Sequence, residues 1–598
     1  VIFNNDQASY FKNLSEMPKI SCHTIFTHRR LSIIDLSQNA SQPMHDKTKR
    51  FWITYNGEIY NYKEIRKELI SHGSSFKTKS DTEVILEAWS KWGPACLEKF
   101  VGMFAFSIYD MKDKKIFLVR DRVGIKPLYY VHNSNGLAFA SEQATLLGCG
   151  VYNIKPNWDG ILSGIFFRGA LRPNTVYDDI YALKPGHYAV FENNQLKHYE
   201  FWDLMEDQAS FTKKENLIKG EKLLNQVIER TMISDVPVAS LMSGGIDSST
   251  MSVISSKKNK ETTVFTLGWD EKSDSVSEIP FAKKIAKKHN LNHEINIIDE
   301  KYISKNISSI ANIFEEPIGM LEPHYPIAQS VNEKNFKVLL NGLGPDEMLG
   351  GYKYYKILNY WKWIKKVNLF QLSSFKNNKL NKILAIISSK SIPELYVNSF
   401  GGYLWHDPTE LFESGIVNKD WKPVDAVKEN FPKAWSKIKD PIRIFNYLDL
   451  KIYIGTHHNH TSDKFLMHKS IEGRFPYLDH KWLEFCYNLP SSMKIEGSKQ
   501  KLLLRDLSTK VVGNFIINNT KKGFLINPKY FLNNKKTMDW VSQNIKDLSK
   551  RAIIRKEYIS SFQKNSNSLS PNKILYLAYL ENWLKTIDNQ SSKTATLL

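Results

Sequence analysis

Apolar and polar positions follow two regimes along the chain. Up to about residue 200 they alternate over short runs. Gly102 to Asp110 and Ile116 to Arg122 alternate around a polar turn and predict two strands. Phe51 to Tyr55 is strand-like, and Asn56 to Tyr62 reads as a turn into a helix. Ser80 caps a helix that begins at Asp81, while 124–130 and 139–142 continue the layered pattern. Leu183 to His187 precedes a strand pair ending near Tyr199 to Asp203. The polar stretch that follows places a linker at 206–216, between domains of 1–205 and 217–598.

Beyond the linker the pattern changes. Leu224, Val227 and Ile228 form a helical stripe over Leu217 to Met232. Strand-like runs at Val236 to Met242, Val264 to Trp269, Glu294 to Ile298 and Lys337 to Asn341 then alternate with helical ones. Glu278 to His289 is one such helix, with Phe281, Ala282, Ile285 and Ala286 inward. This alternation predicts a doubly wound parallel sheet whose ligand lies beyond the strand C-termini. Residues 353–445 read as mainly helical and carry no interpretable motif.

Ser243-Gly244-Gly245-Ile246-Asp247-Ser248-Ser249 falls at the end of the first of these strands, with a helix expected from Ser249 to Lys257. Glycines admit close approach of oxygen atoms, and free N–H groups at a helix start favour an anion. Three hydroxyls add donors, and Asp247 is suited to a magnesium ion shared with phosphates. A bare Gly-Ser turn would not need so many polar groups. Asp346 and Glu347 follow Asn341-Gly342-Leu343-Gly344-Pro345 at another strand end, so Asp247 and Asp346 are the expected magnesium ligands.

Composition narrows the class. The hydrophobic fraction of 42% and charged fraction of 24% fit a globular protein, and no apolar run nears the ~20 residues of a membrane span. The first ten residues do not form a secretory signal. Cys22, Cys96, Cys149 and Cys486 are scattered, which argues against a disulfide framework or zinc site and suits a reducing cytoplasm. The formal charge of +20 is spread along the chain rather than clustered, so nucleic acid is not the expected partner. His457, His458 and His460 lack helical zinc spacing and read as surface or substrate-pocket residues.

The S-G-G-x-D-S stretch resembles the pyrophosphate loop of ATP pyrophosphatases. H-R-R-L-S-I-I-D-L-S, N-G-E-I-Y-N-Y, S-D-T-E-V-I-L and R-D-R-V-G-I-K-P-L-Y-Y resemble, in order, the glutaminase signatures of glutamine-hydrolysing asparagine synthetases. N-G-L-G-P-D-E-M-L-G-G-Y, T-S-D-K, S-I-E-G-R-F-P-Y-L-D-H, Lys501 to Arg505 and Lys521 to Phe524 resemble later blocks of the same family. The resemblance implies an N-terminal αββα glutaminase sandwich, then a doubly wound ATP-pyrophosphatase domain with helical C-terminal additions. It implies glutamine held by Arg30, Asn56, Gly57, Glu58 and Asp81, with Arg30 on the carboxylate and Asn56 and Gly57 as oxyanion donors. ATP would be bound by Leu241, Ser243, Gly244, Gly245, Asp247, Ser248, Ser249, Leu267, Asn341 and Gly342. Lys501 would neutralise phosphate charge during adenylation. A carboxylate acceptor, aspartate by default, would be amidated with release of AMP and pyrophosphate. The assembly is compatible with a homodimer.

Departures qualify this picture. The family's nucleophile is an N-terminal Cys, absent here together with R-G-P-D, and Cys22 reads as a small residue in a strand. Missing upstream residues are the expected reason, and the sequence as it stands is expected to use ammonia rather than glutamine. Leu343 replaces a Glu associated with ammonia handling. Glu315-Glu316-Pro317 approximates D-E-P, but Ile318 to His324 departs from the aspartate loop. Rivals are a relative that amidates a sugar acid or closes a lactam, and a non-catalytic scaffold, against which Asp247, Asp346 and Lys501 speak.

Overall fold

The computed structural model describes residues 1–4, 7–9, 23–148, 154–207, 211–269, 278–364, 385–400, 404–405, 407–518, 531–564 and 569–597. Cys22, Cys149 and the Lys521 to Phe524 block lie outside them. The chain forms two compact units. One comprises Val1–Leu146, Ala182–Asp203 and Arg230–Pro237, and the other Leu147–Tyr181, Leu204–Glu229 and Val238–Leu598.

The first unit is built on a six-stranded antiparallel sheet. Its strands are β1 (Met44–His45), β2 (Phe51–Ile59), β3 (Gly102–Asp110), β4 (Lys115–Arg120), β5 (His187–Glu192) and β6 (Gln195–Glu200), in the spatial order β6-β5-β4-β3-β2-β1. Strand alternation sends successive side chains to opposite faces, and here both faces are covered. Helix α1 (Asp81–Trp92) lays Trp89 against Phe106 and Phe117. On the other face Trp52, Ala105, Tyr109 and Leu118 join Leu128, Tyr130 and Phe26, which carry a second layer containing the hairpin Tyr129–Asn133 with Gly136–Ala140.

The turn expected from Asn56 is instead strand. Asn56, Gly57 and Glu58 continue β2 and pair with Ala105, Phe104 and Met103. Gly57 permits this continuation, because a Cβ there would stand 2.1 Å from the Met103 carbonyl oxygen and its φ is +145°. Ser80 caps α1 as the sequence indicates, its hydroxyl accepting from the Thr82 N–H at 3.1 Å.

The R-D-R-V-G-I-K-P segment closes this sheet from within. Asp121 is fully buried and accepts from the N–H groups of Phe104, Val123, Ile125 and Lys126 at 2.9–3.2 Å. Arg120 donates to the carbonyls of Lys126, Leu183 and Gly124. Such a residue substitutes for a sheet ladder where the chain turns. Asp121→Ala would leave several buried N–H groups without an acceptor and is expected to destabilise this unit by ~3 kcal/mol or more. Hydrogen exchange over residues 102–126 measures it; unchanged protection there would refute this account of the loop.

The second unit holds a five-stranded, wholly parallel sheet. Its elements are β7 (Val238–Leu241), α2 (Ile246–Lys258), β8 (Thr263–Trp269), α3 (Ile279–His289), β9 (Asn292–Ile298), α4 (His324–Glu333), β10 (Val338–Leu340), α5 (Asn459–Met467), β11 (Glu472–Arg474) and α6 (Leu502–Val511). The strand order is β9-β8-β7-β10-β11. Ala282 and Ile285 of α3 are fully buried against Val264 and Met242, whereas Phe281 is only half-buried. The fifth strand, β11, was not legible as one: three residues, Glu-Gly-Arg, carry no apolar alternation. A 19-residue helix, Lys213–Thr231, begins four residues before the Leu217 start expected for it. Within 353–445 the described segments include the helices Lys353–Ile364, Ile392–Phe400, Pro423–Asn430 and Pro441–Leu448.

Candidate active site

The expected helix start at Ser249 is corrected by the structure. Helix α2 begins at Ile246 and is preceded by Gly245, without a side-chain cap, so Asp247 and Ser248 occupy its first turn. A carboxylate there is favoured by the helix dipole. The Ser248 hydroxyl accepts from the Ser243 N–H at 3.0 Å and lies 3.0 Å from the Ser243 hydroxyl, folding the loop into a tight cup. Gly244 sits at φ +95° to make that turn. Gly342, at the end of β10, borders the cup: a Cβ on it would lie 3.1 Å from the Ser248 backbone.

Lys501 joins the loop to the far strand end. Its Nζ is 2.6 Å from Asp247 Oδ2 and 2.6 Å from Asp346 Oδ1. The side chain is 8% exposed, so the three charges interact with little water between them. Burial opposes the charged ammonium, but the two carboxylates outweigh it and raise the Lys501 pKa. Lys501 itself adopts φ +57°, a left-handed conformation costly for a side-chain-bearing residue, immediately before α6. Gly351 completes the enclosure: a Cβ there would meet the Asp346 carboxylate at 1.8 Å. Thr250 of α2 and Ser508 of α6 share a hydroxyl hydrogen bond of 2.6 Å that holds the two helices in register.

The structure thus gathers Ser243, Gly244, Gly245, Asp247, Ser248, Gly342, Asp346 and Lys501. Ser249 is fully buried on the inner side of α2, and Leu241 and Leu267 are buried strand residues. Asn341 lies at the end of β10, its N–H donating to the Arg474 carbonyl. Asp247 and Asp346 are hard carboxylate donors of the kind magnesium takes, and the Lys501 ammonium occupies the position between them.

In the first unit, Asp81 accepts from the Tyr55 hydroxyl at 2.8 Å and the Ile59 N–H at 3.0 Å. The Arg30 guanidinium donates to the carbonyls of Ile34, Asp35 and Ser37. Burial lowers the Arg30 pKa, while the charges of Asp35, Asp81 and Glu58 pull the other way, so Arg30, Glu58 and Asp81 share one electrostatic neighbourhood. Burial, then the Arg30 charge, push His28 down to about 4 and keep it neutral.

A polar network beside Asp346 escaped the sequence reading. Asp449 is wholly buried and accepts from the hydroxyls of Tyr354 and Tyr355 at 2.6 Å and Tyr396 at 3.1 Å. It opens a π-helical turn, Asp449–His458, a form that recurs at functional sites. Glu347 accepts from the Tyr352 hydroxyl, and burial followed by the Asp346 charge raises its pKa. Burial likewise pushes Lys494 down to about 7, its Nζ donating to Asn446 Oδ1 at 2.8 Å. Asn446 and Asp449, one helical turn apart in an apolar stretch, were the available signal. His457 and His460, expected as surface or pocket residues, are buried along the same turn and its continuation. No group of three metal-ligating side chains occurs among the described residues.

Two comparisons bear on these units. Residues 17–202 match the model for a glutamine amidotransferase domain, and residues 219–585 match that for asparagine synthase. The chain belongs to the asparagine synthase family. It is 28% identical over 552 residues to a glutamine-hydrolysing asparagine synthetase 1 of Bacillus subtilis, covering 90% of this chain and 85% of that protein. It is 27% identical over 507 residues to asparagine synthetase 3 of the same organism, covering 81% and 77%. An amidase of Gibberella zeae is 25% identical over 565 residues, covering 84% and 81%. As a member of the asparagine synthase family this protein is a carbon–nitrogen ligase of the glutamine amidotransferase type. No described helix is long and apolar enough to cross a membrane.

The buried acid of this ligase has a pH consequence. Burial raises Asp449 to about 7 from an ordinary 3.8, against the pull of the three tyrosines. Its folded pKa is therefore above its unfolded one. The stability it contributes is fully present below pH ~4 and is lost as pH rises through ~7. Asp449→Asn is expected to flatten the stability–pH curve of the second unit between those values, by up to a few kcal/mol. Parallel slopes for both proteins in urea unfolding would show that Asp449 is ionised throughout.

Proposed function

We propose that this protein adenylates a carboxylate with ATP, releases pyrophosphate, and amidates the adenylate with ammonia derived from glutamine, giving an amide and AMP. Aspartate is the default acceptor. The observation that carries this reading is the Lys501 ammonium bridging Asp247 and Asp346 beside the Ser243 to Ser248 cup, at the C-terminal end of a parallel sheet. The cup offers N–H and hydroxyl donors to phosphate oxygens. Lys501 counters the charge that develops as pyrophosphate leaves. Magnesium, when bound at Asp247 and Asp346, supplies further neutralisation of the phosphates. Glutamine is assigned to the first unit, with Arg30 on its carboxylate, Glu58 and Asp81 on its ammonium, and Asn56 and Gly57 as oxyanion donors. A reducing compartment such as the cytoplasm goes with this reading, on the scattered cysteines of the sequence.

A second reading concerns the acceptor. Ile318, Met320 and Leu321 are buried, and Ile318 and Met320 line a cavity with Pro317, Leu404, Arg168 and His457. The segment that departs from the aspartate loop is thus packed with apolar side chains, which keeps a sugar acid or a lactam-closing carboxylate as the alternative acceptor. Carboxylate-dependent exchange of labelled pyrophosphate into ATP, run over aspartate, sugar acids and acids able to close a lactam, decides between them. Asp247→Asn is expected to reduce that exchange at least 100-fold with the fold intact, since an amide supplies only a dipole to the cation. Ordinary exchange in that variant would sink the assignment. In a chain that carries the N-terminal Cys nucleophile, Arg30→Lys is expected to weaken glutamine-dependent synthesis at least tenfold and to spare synthesis from ammonium salts, because only the glutamine pocket needs a planar fork. Equal loss with both nitrogen sources would mean that Arg30 serves the fold.

A further inference from the structure

Amide formation from an adenylate and ammonia releases one proton. The residue on the nucleotide-side loop after Asn341 and Gly342 is Leu343, which cannot take it. A base does stand beside this strand end. His324 opens α4, and its Nδ1 is 3.0 Å from Glu322 Oε2. Its Nε2 is 3.1 Å from the Ser462 hydroxyl of α5 and 3.4 Å from Asn341 Nδ2 at the end of β10. All four residues are less than a tenth exposed.

The tautomer follows from the partners. An ionised carboxylate only accepts, so Nδ1 carries the hydrogen toward Glu322. Nε2 then keeps its lone pair, turned toward two groups that can donate, the Asn341 amide and the Ser462 hydroxyl. This is the arrangement of an oriented general base, with a carboxylate fixing the ring and stabilising the imidazolium once it forms. The other charges of the segment are engaged elsewhere. Glu315 pairs with Lys464 at 2.9 Å, and Glu316 with Arg172 at 3.1 Å. Position supports the role too: Asn341 precedes Gly342, whose backbone borders Ser248 of the phosphate cup.

We propose that His324 is the general base of the amidation step, with Glu322 as its positioning residue. The inference rests on the ligase reading above. The ammonia lone pair attacks the acyl carbon of the adenylate, forming the C–N bond and moving the carbonyl π electrons onto oxygen. The nitrogen of this adduct, now positively charged, gives one proton to His324 Nε2, and the N–H electron pair stays on nitrogen. The carbonyl re-forms, the bond from carbon to the phosphate oxygen breaks, and AMP departs with that electron pair. His324 then returns its proton to solvent.

The test separates the two half-reactions. The carboxylate used is aspartate, or whichever acid drives pyrophosphate exchange in the unaltered protein. His324→Gln is expected to keep carboxylate-dependent exchange within about twofold, because adenylation precedes the base. Amide synthesis from ammonium chloride is expected to fall at least 100-fold, the lower end of what a positioned base contributes. Hydroxylamine, whose positively charged adduct nitrogen is far more acidic than that of ammonia and can give its proton to water, should restore acyl transfer, read as hydroxamate, to within a few-fold of the unaltered protein. Glu322→Gln should show the same pattern with a loss of about tenfold. If exchange and amide synthesis fall together in both variants without hydroxylamine rescue, the pair holds the pocket and the proposal is wrong. If ammonia-driven synthesis is unchanged, the base is elsewhere. If no acid drives pyrophosphate exchange in the unaltered protein, the adenylation reading falls and this one with it; acid-dependent exchange there, with normal amidation in His324→Gln, overturns this one alone.

Discussion

Two carboxylates brought to one enclosed position need a cation between them. Asp247 and Asp346 meet that requirement through Lys501, whose ammonium is 2.6 Å from both. Removing one partner of such a cluster leaves charge in a poorly solvated place, a loss of roughly 3–5 kcal/mol in buried pairs. The surrounding structure is arranged to keep all three. Lys501 holds a left-handed backbone before α6, Gly351 leaves the room that its Cβ would fill, and the Thr250–Ser508 hydroxyl contact ties α6 to α2. The first turn of α2 then presents Asp247 and Ser248 to the same space. Pull out Lys501 and the reason for each of these placements goes with it.

The first unit solves a different problem by similar means. Its sheet is covered on both faces, so loops that close it must satisfy their backbone groups internally. Asp121 and Arg120 do so with four N–H donors and three carbonyl acceptors. The R-D-R-V-G-I-K-P block, which on the sequence is only a signature, is therefore a piece of fold. Asp81 has both characters: it opens α1, accepts from Tyr55 and Ile59, and stands in the field of Arg30.

Periodicity made most of the architecture legible. Alternation in 102–110 and 116–122, and strand–helix alternation after 236, correspond to β3, β4 and the parallel sheet. The misses share a cause, because each is an element whose local pattern is overruled by pairing. Asn56 to Glu58 has turn chemistry yet continues β2, since Gly57 lets Met103 come close. Glu472 to Arg474 has no strand propensity yet completes a sheet, with Arg474 buried on Glu472 at 2.8 Å. In the site, residue types announced Asp247 and Asp346, and the family resemblance supplied Lys501. Their meeting depends on a strained backbone before α6, which no spacing encodes. Glu322 and His324 were passed over because they fall in a segment read only for its departure from a pattern.

The groups that break local rules in the second unit are tied to one another through hydrogen bonds and charges. Lys501 is left-handed, residues 449–458 are π-helical, and Glu347, Asp449 and Lys494 are ionisable groups shut away from water. Each buried ionisable group costs a few kcal/mol of a total stability that is commonly 5–15 kcal/mol. A chain shaped by stability alone would replace them with packed apolar residues. Asn446 links the Lys494 ammonium to the Glu347 carbonyl, Glu347 follows Asp346, and Asp346 meets Lys501. The liabilities thus run as one path from the interior to the phosphate cup. Their cost is offset by the apolar packing of α3 and of Val512 and Ile516, just beyond α6, against the parallel sheet, where Val264 and Ile285 are fully buried. Strain and charge gather at the strand ends because that is where a charged ligand can complement them, and the sheet beneath stays apolar so that the ends need not be.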